Sequence, residues 1–154
     1  MAGTDSRVDV PQNETLNFRM VTHVTSSSSE EVGDVANHRL SLSRFSGLAF
    51  FTDGAVAKVS FLSLGDYIDG AGKFTLYPII NFDDGSALYI KSTGSGEVEG
   101  SKTLFVGTLK VLGGKGRFER AAGEGTLTGI RYTPLAEGAD LVSEYTVNLE
   151  TAAT

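Results

Sequence analysis

Apolar and polar residues alternate with a period of two along most of this chain. Leu16, Phe18, Met20, Thr22 and Val24 alternate with Asn17, Arg19, Val21, His23 and Thr25, the pattern of a strand with one face buried. The tract that follows, SSSSEEVGD from Ser26 to Asp34, is polar and contains a glycine, which predicts a long loop. Arg39 to Phe51 resumes the alternation, with Leu40, Leu42 and Arg44 opposite Ser41, Ser43 and Phe45 and with Gly47 as a bulge or a bend. Thr52-Asp53-Gly54 predicts a hairpin turn, because Asp-Gly supplies the positive φ that primed turns require. Further strands are predicted for Val56 to Leu64, Lys73 to Phe82, Ala87 to Thr93, Thr103 to Leu112, Gly125 to Thr133 and Leu141 to Glu150. Asp66 to Gly72 reads as loop and Asp83-Asp84-Gly85 as a second hairpin turn. No segment carries a useful stripe at the helical period.

Eight short strands joined by hairpin turns suit a barrel or a two-sheet sandwich. The barrel is favoured, because apolar content is modest and several strands carry small residues on one face, as a barrel with room for one small ligand requires. Residues 1–14 are polar and aperiodic and read as a flexible lead-in, leaving residues 15–154 as a single β-barrel domain.

Composition narrows the partners. A chain of 154 residues with 40% hydrophobic and 21% charged residues is one ordinary globular domain. Its net charge of -6 argues against nucleic acid, which is bound through clustered Lys and Arg. With no cysteine there is no disulfide, no thiolate nucleophile and no thiolate-held zinc. No apolar run reaches the length of a signal peptide core or a membrane span, so the expected location is cytoplasmic, away from membranes.

The glycine-rich run Gly113 to Gly125, GGKGRFERAAGEG, raises the possibility of a phosphate-binding loop. It lacks a Gly-Lys-Ser/Thr ending and a following helix, so it reads instead as a tight strand connection with Phe118 tucked into the core. LGGKGRFERAAGEGTLTG resembles the segment shared by the plant dirigent proteins and the allene oxide cyclases, and VSEYTVNL resembles the last strand of those families. YPIINFDDGSALYIKSTG is similar to the cyclase hairpin, and GDVANHRLSLSRFSG to the cyclase stretch in which Gly-Asp precedes an Asn and a basic residue. The resemblance spans roughly Val32 to Leu149. It implies an all-β, eight-stranded antiparallel barrel of the calycin-like, allene oxide cyclase type, an apolar cavity for a small hydrophobic or aromatic molecule, no cofactor, and a homotrimer. It aligns Asn37 with the cyclase asparagine and Tyr77 with a tyrosine of the cyclase hairpin. In the first strand, where the cyclases carry a Glu, this chain offers Thr22 and His23.

Four residues are candidates for catalysis: Glu144, Tyr77, His23 and Asn37. Glu144 stands mid-strand between Ser143 and Tyr145. Facing inward, its carboxylate would be desolvated and tuned toward neutral pH as a base; facing outward, it would be a solvated surface charge. Arg131 poses the same question, and an inward Glu144 would pair with it. His23 serves either in surface packing or in proton transfer. Two histidines, His23 and His38, make a poor metal site. The expected function is a cofactor-independent enzyme with isomerase- or cyclase-type acid–base chemistry. The alternatives are a non-catalytic, dirigent-like barrel for a lipophilic ligand, oxidative demethylation of an aromatic heterocycle as in the bacterial phenazine demethylase, and a purely structural trimer.

Overall fold

The structure, a computed structural model, describes residues 11–152. Eight strands follow one another: β1 (Pro11–Glu31), β2 (His38–Phe51), β3 (Val56–Ile68), β4 (Ala71–Asn81), β5 (Ala87–Glu99), β6 (Lys102–Lys115), β7 (Ala122–Arg131) and β8 (Leu141–Ala152). Each pairs antiparallel with its chain neighbours, and β8 returns to β1, so the sheet closes into a barrel without free edges. No α-helix occurs among the described residues; the connections hold only short 3-10 turns at Gly116–Phe118 and Leu135–Glu137. The predicted all-β barrel is therefore the fold, and the sandwich is not.

Strand limits differ from the sequence reading in an instructive way. The polar tract Ser26 to Glu31 is strand rather than loop, laddered against Arg44 to Arg39 of β2 after a bulge at Thr25. Serine is a poor strand former on its own, but here a closed ladder supplies the tract's backbone partners, and Ser29 lines a cavity. Residues 11–14 of the expected lead-in also pair, with Ala152 to Leu149 of β8; residues 1–10 lie outside the described part of the chain. The loop expected at Asp66 to Gly72 shrinks to a two-residue hairpin turn in which Asp69 and Gly70 have φ of 53° and 82°, the geometry of a primed turn. Gly47 is not a bulge: a Cβ there would collide with the Val21 carbonyl, so glycine permits close strand approach.

Alternation sets the interior. Met20, Ala49, Ile80, Leu88 and Val147 are fully buried around the barrel's middle, each large side chain contributing ~1.5–3 kcal/mol by leaving water. One end is closed by a chain of rings running Phe18, Phe51, Phe82, Phe118, with centroids 4.7, 5.5 and 5.2 Å apart. Phe118 comes from the glycine-rich run and is buried as expected. Arg117 covers the plug, its guanidinium 4.7 and 4.5 Å from the Phe82 and Phe118 centroids and its Nε 3.2 Å from the Asp84 carboxylate.

Candidate functional site

The other end of the barrel stays open and holds a cavity of about 220 Å³. Its lining changes with depth along a strand as well as from strand to strand, because successive inward positions carry different residue types. On β1 to β3 the inward positions toward the mouth are serines: Ser27 faces Ser43, Ser29 faces Ser41, and Ser43 faces Ser63 across the ladders. Ser27 and Ser43 share a hydrogen bond of 2.8 Å between hydroxyls. Deeper along β2 and β3, and across on β4 and β6, the wall is aromatic. Phe45 and Phe61 stack with centroids 4.8 Å apart, and Phe74 meets Phe105 edge-on at 5.6 Å. Inward positions of the adjacent ladder are glycines: a Cβ on Gly94 or Gly107 would collide first with the Val106 or Thr93 carbonyl of the paired strand and would also sit 2.8 or 3.2 Å from the tip of the Phe74 ring.

The rim is cationic. Arg39 at the start of β2 and Arg131 at the end of β7 both border the cavity, and none of the residues lining it is acidic. Arg39 donates from Nε and Nη2 to Ser29 Oγ at 3.1 and 2.9 Å. Arg131 donates to Thr103 Oγ1 at 3.3 Å, with its guanidinium 5.9 Å from the Phe105 centroid. Burial lowers the Arg131 pKa from its ordinary value, and the Tyr67 phenol opposes that shift. Burial pushes Tyr67 up to about 12 while the Arg131 charge pulls it down, so near neutral pH the phenol keeps its proton and can donate it in a hydrogen bond.

Two connections shape the mouth. The β7–β8 connection places Leu135 against the cavity and is tied down where the Val24 N–H donates to the Gly138 carbonyl at 2.9 Å. The β1–β2 connection brings Asn37 to the rim with φ of 60°. Asn37 donates from Nδ2 to Asp69 Oδ1 at 2.7 Å, and its carbonyl accepts the Asp69 N–H at 3.1 Å. The next residue, His38, lies between Asp34 and Asp66, with ring nitrogens 2.7 and 2.6 Å from their carboxylates.

Of the four candidate residues, the fold brings only Asn37 to the cavity. Glu144 points outward with its side chain 54% exposed and pairs with Arg19 at 2.6 Å, while Ser143 and Tyr145 on either side are buried. The expectation of an inward carboxylate is therefore corrected, and so is its pairing with Arg131, which alone faces the interior. Tyr77 stands on the outer face of β4, 40% exposed, with the Lys91 ammonium 5.8 Å from its ring centroid. His23 lies on the outer face of β1 beside the buried Thr22. The residues that do line the site include Tyr67, Arg39, Ser43 and Ser143. A signal for Ser143 was present in the sequence: Leu141, Tyr145, Val147 and Leu149 form the more apolar phase of β8, and Ser143 shares it. Three further hydroxyls, on Thr22, Ser92 and Tyr145, are buried without a well-formed hydrogen bond, although Ser92 stands close enough to the Tyr145 phenol to favour its ionised form slightly against burial.

No protein-family model and no curated protein matches the sequence. Among solved structures, the pterocarpan synthase dirigent protein GePTS1 superposes with a TM-score of 0.62 at 16% identity, over 94% of this chain and 93% of that one. A conserved protein of unknown function from Rhodopseudomonas palustris superposes with a TM-score of 0.56 at 12% identity, over 91% of this chain and 99% of that one. At such identities the likeness is one of fold. The dirigent-like barrel implied by the glycine-rich segment is the architecture this chain adopts.

Proposed function

We propose that this dirigent-like barrel binds and orients a small aromatic or otherwise apolar molecule in its open-ended cavity. The observation that carries the reading is the cavity's lining, hydroxyl-bearing toward the mouth on β1 to β3 and aromatic deeper on β2 and β3 and across on β4 and β6, with no carboxylate or imidazole among its residues. Apolar walls with a few placed polar groups are what ligand sites require. A volume of about 220 Å³ lies below the ~300–1,000 Å³ of drug-sized sites and suits one or two rings. The dirigent protein that shares the fold is described as a pterocarpan synthase, which is compatible with an aromatic occupant.

The expected isomerase- or cyclase-type chemistry is a second reading, and one feature favours it. Tyr67 lines the cavity as a protonated phenol able to donate a hydrogen bond to an oxygen of a bound ligand, although burial makes it a weaker acid than a free phenol. Without Glu144 the cavity lacks a matching base, so binding and orientation is the reading preferred here. Assembly as a homotrimer belongs to the same proposal, supported by the apolar outer face of β2 to β4.

The test is calorimetric titration of the full chain with 2-naphthylmethanol, a neutral two-ring probe. Saturable binding of one probe per chain, with NMR shifts confined to Phe45, Phe61, Phe74, Ser43 and their neighbours, is the expected result. Absence of saturable binding by this and by single-ring probes would remove the reading.

A further inference from the structure

The two rim arginines pose a question that an apolar occupant leaves open. The chain carries 19 acidic against 13 basic side chains, so carboxylates for pairing are not scarce. Arg19 and Arg117 each take one. Arg39 and Arg131 form no ion pair among the described residues, although Glu31 stands opposite Arg39 on the β1–β2 ladder. Both instead turn to hydroxyls, those of Ser29 and Thr103, and both border the same cavity. Arg131 is partly buried, where a guanidinium without a counter-charge is costly unless something supplies one, whereas Arg39 is exposed and enters by its place at the rim.

We infer that the ligand is an organic anion, an aromatic or alicyclic carboxylate whose ring enters the aromatic wall while its carboxylate is held at the mouth by Arg39 and Arg131. A carboxylate suits guanidinium donors because the planar fork can bind both oxygens at once. The serine hydroxyls and the Tyr67 phenol add neutral donors along the same side, so an acceptor-rich group is matched there and a cation is not. Asp34, Asp66 and Asp69 at the mouth are outside the lining and are engaged by His38 and Asn37, so the charges that border the cavity itself are the two arginines.

This inference rests on the binding reading above, and a matched pair of probes separates the two. The full chain is titrated with 2-naphthoate and with 2-naphthylmethanol, which share the ring system and differ in charge. The carboxylate is expected to bind at least tenfold more tightly. Arg39→Gln and Arg131→Gln should each reduce that preference, and the double variant should abolish it, bringing the two probes to equal affinity. Arg131→Lys keeps the charge and should retain part of the preference, which guards against a loss that reflects only altered packing over Phe105. Equal or tighter binding of the alcohol to the unmodified chain would overturn the anion inference and leave the binding barrel standing. A carboxylate preference that survives in the double variant would overturn the assignment to these arginines. Failure of both probes to bind would remove the barrel reading and this inference with it.

Discussion

A carboxylate acts as a tuned base only where water is kept from it, and the Glu144 side chain is 54% exposed beside Arg19. Exposed ion pairs contribute ~0–1 kcal/mol. Glu144→Gln should therefore shift unfolding free energy by less than about 1 kcal/mol and leave probe affinity unchanged in calorimetry. A tenfold loss of binding in that variant would contradict the outward placement. Gly129 is the opposite case. It lines the cavity, and a Cβ there would meet Ser143 Oγ at 3.4 Å and Leu141 Cδ1 at 3.5 Å, ordinary contact distances. Its backbone needs no positive φ, so a larger side chain can be carried without strain and must project into the open space. Gly129→Leu should keep the melting temperature within a few degrees of the parent and weaken both naphthyl probes at least tenfold. Undiminished binding would place the ligand elsewhere.

At the scale of elements, the mouth is held by polar clamps on its connections. His38 joins Asp34 of the β1–β2 connection to Asp66 of β3, and those two hydrogen bonds raise its pKa above the ordinary 6.5. The hydrogen bond from His38 holds Asp34 below its ordinary 3.8. Because the folded state favours imidazolium, the His38 contribution is fully present below pH 6.5 and is lost as pH rises through its higher folded value. The Asp34 contribution runs the other way, present above 3.8 and lost as pH falls through its depressed folded value. The clamp should be tightest between these limits and loosen on the alkaline side. Exchange protection of the Asp69 amide, which the Asn37 carbonyl accepts, should fall between about pH 5 and about pH 9 beyond the intrinsic rate change. His38→Gln should flatten that fall. An identical slope in the variant would assign it to another group.

For the whole molecule, closure of the barrel leaves no strand edge to pair, so any self-association must use side chains of the outer face. That face is unusually apolar over β2 to β4. Leu42 and Leu64, 44% and 50% exposed, sit opposite one another on the ladder, with Tyr77 and Ile79 at 40% and 36% on the adjoining strand. Contiguous apolar surface of this kind marks association in soluble proteins. The proposed homotrimer should sediment at three times the 16.3 kDa chain mass at micromolar concentration. Leu42→Asp combined with Leu64→Arg should shift it to the monomer without altering the strand spectrum. A monomeric parent chain would refute the assembly.

The alternation of residues such as Leu16, Phe18 and Met20, and the Asp-Gly turns at Gly54 and Gly85, determine eight antiparallel strands from local information, because both signals depend only on near neighbours. The burial of Phe118 was legible for the same reason, as a lone aromatic in a glycine-rich connection. The sequence reading leaves the direction of Glu144 open, although the apolar series through Tyr145 and Val147 is a signal that puts it on the outside. The serine tract could not be read as strand, because its stability comes from a ladder to β2 rather than from its own propensity. Nor could the site be assembled from the chain alone. Arg39, Tyr67 and Arg131 lie far apart in sequence and meet only where β2, β3 and β7 finish at the same end of the barrel. Which end opens was likewise decided in three dimensions: the rings of Phe51 at the end of β2 and of Phe82 and Phe118 from two connections close one end, leaving the serine and arginine positions to face the space at the other.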